Sequence, residues 1–77
     1  MDFKEFLMKE YKIGEDSAKQ YEHRLNGIID RGIYTEESSI TPSMLAALER
    51  EYKENSIKNY KLTIERYIIY KKKTGKI

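Results

Sequence analysis

The chain states one helical pattern twice, and this repeat limits its possible folds more than any other feature. Ser17-Ala18-Lys19-Gln20-Tyr21 is followed at helical spacing by Leu25, Ile28 and Ile29. Thirty-nine residues on, Ser56-Ile57-Lys58-Asn59-Tyr60 is followed by Ile64, Tyr67 and Ile68. Each copy reads as a helix start, a polar first turn, a tyrosine one turn in, and an apolar stripe on one face. Two such helices within 77 residues leave room for one domain around one modest core.

The rest of the chain reads the same way. Phe3, Phe6, Leu7 and Tyr11 predict a first helix over residues 2–12, with Gly14 suited to the position just past its end. The second helix is expected over 17–31, opened by a Ser17/Gln20 capping box and stopped by Gly32. Its buried stripe is Ala18, Tyr21, Leu25, Ile28 and Ile29, and the polar run 34–39 reads as a loop. Thr41 is a good N-cap and Pro42 suits the first position of a third helix over 42–52. Ile40 before that cap is placed to pack on Leu45, and Met44, Leu45, Leu48 and Tyr52 form the stripe. Asn55 or Ser56 is expected to cap a fourth helix over 56–73, ended by Gly75. Nothing alternates as a strand would. The fold class is therefore all-α, a small bundle of four main helices. The fourth helix carries Leu62 and Ile69 opposite its main stripe. Either it is the central helix, or those two side chains face another domain or subunit.

Composition excludes several classes. Without cysteine there are no disulfides or thiolate metal sites, and the single histidine, His23, cannot build a histidine-rich centre. No stretch approaches the roughly 20 apolar residues of a membrane span. Residues 1–7 carry two acids and lack a signal-peptide apolar run. These features predict a soluble, intracellular, cytoplasmic protein with no membrane partner. Net charge is only +2, but residues 1–52 hold seven basic and eleven acidic side chains while residues 53–77 hold eight and two. A basic segment points to an anionic partner. It also suits a lysine-rich last helix kept for solubility and for its dipole.

Four segments in order carry a family resemblance: Phe3-Lys4-Glu5-Phe6-Leu7; Ser17, Tyr21, Leu25 and Ile28; Ile40-Thr41-Pro42-Ser43; and Ser56 through the aromatic stretch with Tyr67 and Tyr70. Together they resemble the N-terminal core-binding, SAM-like domain of tyrosine recombinases of the phage-integrase type, over nearly the whole chain. The resemblance implies a helical bundle that forms one jaw of a clamp around duplex DNA. It also implies a separate C-terminal domain bearing the catalytic tyrosine with its arginine, lysine and histidine helpers. That domain is not within these residues, so no tyrosine here is catalytic by analogy. A catalytic domain and other recombinase subunits are the implied partners. The chain then reads as a fragment or a free-standing relative. Met1 before the first helix fits a natural start, and residues 71–77 look like the beginning of an interdomain linker.

Phosphate binding needs Lys and Arg to replace counterions, helped by helix N-termini. Two serine-capped helix starts, each with a lysine two positions on, are therefore expected to clamp phosphates: Ser17 with Lys19, and Ser56 with Lys58. Gln20 and Asn59 are equivalent amides able to donate to phosphate or pair with adenine. His23 and Arg24 on the second helix, and Lys61, Arg66 and Lys73 on the fourth, complete the expected contact set. Gly27, mid-helix, allows close approach of a sugar-phosphate backbone or of another helix. The serines also serve simply as caps, and the charges as solvated ones. Glu15, Asp16, Glu22 and Asp30 around the second helix repel phosphates, so binding in isolation is expected to be weak and sequence-tolerant, with the fourth helix carrying more of it. No nucleophile–base pair or glycine-rich phosphate loop is present, so no enzyme, cofactor or small-molecule substrate is expected. The competing expectation is a protein–protein interaction module using the Leu62/Ile69 face.

Overall fold

A computed structural model describes residues 2–35 and 37–75. Met1, Glu36 in the loop, and Lys76 and Ile77 of the expected linker lie outside the described residues. Four helices follow in order: α1 Phe3–Tyr11, α2 Glu15–Asp30, α3 Pro42–Glu51 and α4 Glu54–Lys73. There is no strand among the described residues.

Asp2 starts α1 by accepting the Glu5 amide at 2.8 Å. Its end corrects the expectation for Gly14. The turn is made by Lys12 in the left-handed region at φ 57°, whereas Gly14 is extended and serves as the N-cap of α2. That helix begins at Glu15, so Ser17 lies inside its first turn and the Ser17/Gln20 capping box does not form. The same correction applies to α4: Lys53 is the N-cap, Glu54 the first helical residue, and neither Asn55 nor Ser56 caps it. The physical reason is shared. Glu15 and Asp16 in one helix and Glu54 in the other place carboxylates at the positive end of the dipole, which favours starting a turn early. The 39-residue echo thus reaches back to Gly14-Glu15 and Lys53-Glu54.

Other ends fall where the sequence puts them. Thr41 accepts the Met44 amide at 3.2 Å and Pro42 occupies the first position of α3. Gly32, at φ 71°, ends α2 in a Schellman turn. There the Ile33 N–H donates to the Ile28 carbonyl at 3.1 Å and the Gly32 N–H to that of Ile29 at 3.0 Å. Gly75, at φ 72°, follows the Thr74 cap of α4.

The core has two parts. Ile28, Ile33, Tyr34, Met44, Leu48, Ile64 and Ile68 form one, between the end of α2, α3 and the middle of α4. Phe3, Phe6, Leu7, Ala18, Leu25 and Tyr70 form the other, between α1, the start of α2 and the end of α4. Tyr67 packs against both, with its ring edge-on to Phe3 at 5.3 Å and to Tyr34 at 5.6 Å. All three other helices lie against α4, so it is the central helix. Ile40 and Leu45 each pack against the first part. Two burials depart from the sequence reading. Tyr34, placed in a polar loop, is only 1 % exposed, and its hydroxyl donates to the Glu37 carbonyl at 2.8 Å. Ile29, placed in the α2 stripe, is 43 % exposed.

Candidate nucleic-acid interface

The 16 residues of α2 bury Ala18, Leu25 and Ile28, and at 100° per residue this turns Lys19, Gln20, His23 and Arg24 outward. Those four side chains and Tyr60 of α4 line an open groove of about 390 Å³. The Lys19 ammonium lies 3.3 Å from the Glu15 carboxylate one turn earlier, an exposed pair that a stronger anion can displace. Arg24 reaches Gln20 Oε1 at 3.5 Å, and its guanidinium stands 5.6 Å from the Tyr21 ring centroid.

Tyr60 is held in place from behind. Its ring stacks on Tyr52, with centroids 3.8 Å apart and planes 16° apart. The Arg31 guanidinium stands 5.1 Å from the Tyr52 centroid and donates to the Tyr52 hydroxyl at 2.9 Å. Arg31 also pairs with Glu51 at 3.7 Å. Gly27 makes room for this column: a Cβ there would lie 3.2 Å from Arg31 Nη1 and 3.6 Å from the Tyr52 hydroxyl. The nearest neighbour at Gly27 is therefore Arg31 of its own helix, with the Tyr52 hydroxyl from the end of α3 in ordinary contact. Burial pushes the Tyr52 phenol above its ordinary value of 10.0, against the pull of the Arg31 charge.

The remaining expected contacts are dispersed. Arg66 is turned inward. It donates to the Tyr21 hydroxyl at 2.6 Å and stands 4.0 Å from the Tyr11 centroid and 5.1 Å from that of Tyr21. It joins α4 to α1 and α2, because Tyr11 and Tyr21 meet its guanidinium from those two helices. Lys73 forms an ion pair with Glu10, and the carboxylate's hydrogen bond raises its pKa. Ser56 is half-buried; Lys58, Asn59 and Lys61 are exposed. Two residues from Tyr60, Lys58 stands about 160° round α4 from it, and it does not line the groove. The expected pair of equivalent serine-capped phosphate clamps is thus corrected. Neither serine is a cap, Lys19 and Lys58 do not share a groove, and carboxylates occupy both first turns. The echo breaks because the α4 counterpart of Arg24 is Thr63, fully buried and hydrogen-bonded to the Asn59 carbonyl at 2.8 Å.

Leu62 is half-buried and Ile69 is 40 % exposed. Ile69 borders a second shallow groove of about 350 Å³ with residues 38–40, Glu65, Ile68 and Lys72. Among the described residues, no cluster of three or more His, Asp or Glu could hold a metal ion, and no helix is long and apolar enough to cross a membrane. Tyr60 packs on the core, as its place in the apolar stripe implies, and it also lines this groove, where the sequence placed no contact. The available signal was Tyr52, eight residues earlier at the end of the preceding helix, a second aromatic ring poised to meet it. No family model matches the chain, and neither the curated proteins nor the solved structures contain a significant match.

Proposed function

We propose that this protein is a nucleic-acid-binding module of the phage-integrase, tyrosine-recombinase kind, holding duplex DNA in the cytoplasm mainly through phosphates. The observation that carries this reading is the convergence of Lys19, Gln20, His23 and Arg24 on one open groove. Lys19 and Arg24 neutralise phosphates, while Gln20 and His23 add hydrogen-bonding groups beside them. The net +6 of residues 53–77 draws the polyanion in over longer range, with Lys58 and Lys61 exposed on α4. Lys73 and Arg66 are engaged within the protein and are not needed for contact. On this reading the strand-exchange chemistry belongs to a separate catalytic domain, the other half of the clamp.

The test is fluorescence anisotropy of a labelled duplex across a salt series. Wild-type affinity should fall linearly on a log–log plot. Lys19→Glu/Arg24→Glu should weaken binding at least tenfold and flatten the slope by about one for each phosphate that is no longer neutralised. A folded double variant with unchanged affinity and slope sinks the assignment. A second reading, a protein-interaction module, is favoured by exposed Ile69 beside Ile40 and Ile68. It gains if Ile69→Asp or Leu62→Asp abolishes a protein complex while DNA binding is absent.

A further inference from the structure

The proposed phosphate contacts do not use the ring of Tyr60, although that ring lines the groove. Stacking on Tyr52, itself fixed by Arg31, sets its plane before any ligand arrives. A side chain ordered in advance loses little freedom on binding. Around it stand two cations and an amide, Lys19, Arg24 and Gln20. An aromatic surface beside cations fits a ligand that is itself a flat ring joined to a phosphate. The groove's volume of about 390 Å³ falls within the range of small-ligand clefts.

We infer that the groove seats one unstacked nucleobase against Tyr60 while Lys19 and Arg24 hold the phosphate next to it. The inference rests on the nucleic-acid reading and narrows its substrate to strands with an unpaired base, at a bulge, gap or end. A base within an intact duplex is stacked on both faces and cannot offer one to a protein ring. An extruded or single-stranded base can. Gln20, with one donor and one acceptor end, can then meet the exposed edge of that base.

The experiment uses the full chain and three labelled probes: a perfect duplex, the same duplex with one unpaired adenine, and the single strand. The bulged and single-stranded probes should bind about tenfold tighter than the duplex. Tyr60→Leu should bring the bulged and single-stranded probes down to the affinity of the duplex, and Tyr60→Phe, which keeps the ring, should retain the difference. Equal affinity of the wild-type protein for all three probes overturns the inference, whether or not Tyr60→Leu folds. If that equal binding is salt-dependent, the phosphate reading survives. If no probe binds, that reading fails as well. Competition by adenosine monophosphate or by a phosphotyrosine peptide at the affinity of the bulged duplex also overturns the inference. The groove would then serve a free nucleotide or a peptide.

Discussion

Arg66 is held between tyrosines of two other helices, and replacing it tests the packing scheme directly. Its hydrogen bond to the Tyr21 hydroxyl at 2.6 Å has a charged donor, a class worth about 1.5–3 kcal/mol. Its contacts with the Tyr11 and Tyr21 rings, at 4.0 and 5.1 Å, add about 0.5–1 kcal/mol each at exposed sites. Because the residue is only half-buried, solvent screening trims the sum, and Arg66→Ala is expected to cost about 2–3 kcal/mol. A core in a domain this small supplies about 3–5 kcal/mol in all, so the loss is a large part of the total. The midpoint of thermal unfolding should drop by roughly 10–20 °C. Arg66→Met, which keeps the stem against the rings, should cost about half as much. A double-mutant cycle with Tyr21→Phe should return a coupling of about 1 kcal/mol. Urea denaturation followed by circular dichroism measures all three. If Arg66→Ala stays within about 0.5 kcal/mol of wild type, the cage is not holding the helices together. If folded Arg66→Met lowers the slope of DNA affinity against salt by about one, Arg66 is a phosphate contact after all.

Lys12→Gly should stabilise the protein by about 1 kcal/mol, because a left-handed turn at φ 57° strains any side chain and suits glycine; thermal melts decide it. Gly27→Ala offers about 1 kcal/mol of helix propensity but crowds Arg31 Nη1, straining its bond to the Tyr52 hydroxyl, which is worth about as much. The net change should be near zero in wild type and about 1 kcal/mol stabilising in an Arg31→Ala background, read by denaturant titration. Tyr52 holds its proton more tightly when folded, so its contribution to stability is complete below pH 10.0 and is lost as pH rises through the higher folded value. Tyr52→Phe should flatten that alkaline loss in urea titrations run at increasing pH.

What the sequence made legible was whatever local chemistry decides. Thr41-Pro42, Gly32 and Gly75 each specify a helix end within a few residues, and all three act as read. Lys12 was not legible, since nothing about lysine marks a left-handed turn. Ser17 and Ser56 misled because a serine three residues into a helix looks the same in sequence as one at its cap. Burial of Tyr34 and of Thr63 depends on which segments come to lie against them, and no spacing within their own segments reveals that. For the site, Lys19, Gln20, His23 and Arg24 were legible because four neighbours on one helix face need no tertiary information to converge. The tyrosine partners of Arg66 and the stack behind Tyr60 were not legible, for the opposite reason. Their roles follow from α4 sitting at the centre, with Tyr11, Tyr21 and Tyr52 meeting it from other helices.

Tyr67 touches both parts of the core, and so the domain has no seam along which to come apart. Melting either part strips partners from one ring that the other needs. Amide protons of α2 and α4 should therefore exchange through a single cooperative opening, even though the residues around them fall into two groups. The groove lined by α2 and Tyr60 then keeps its shape until the whole molecule unfolds.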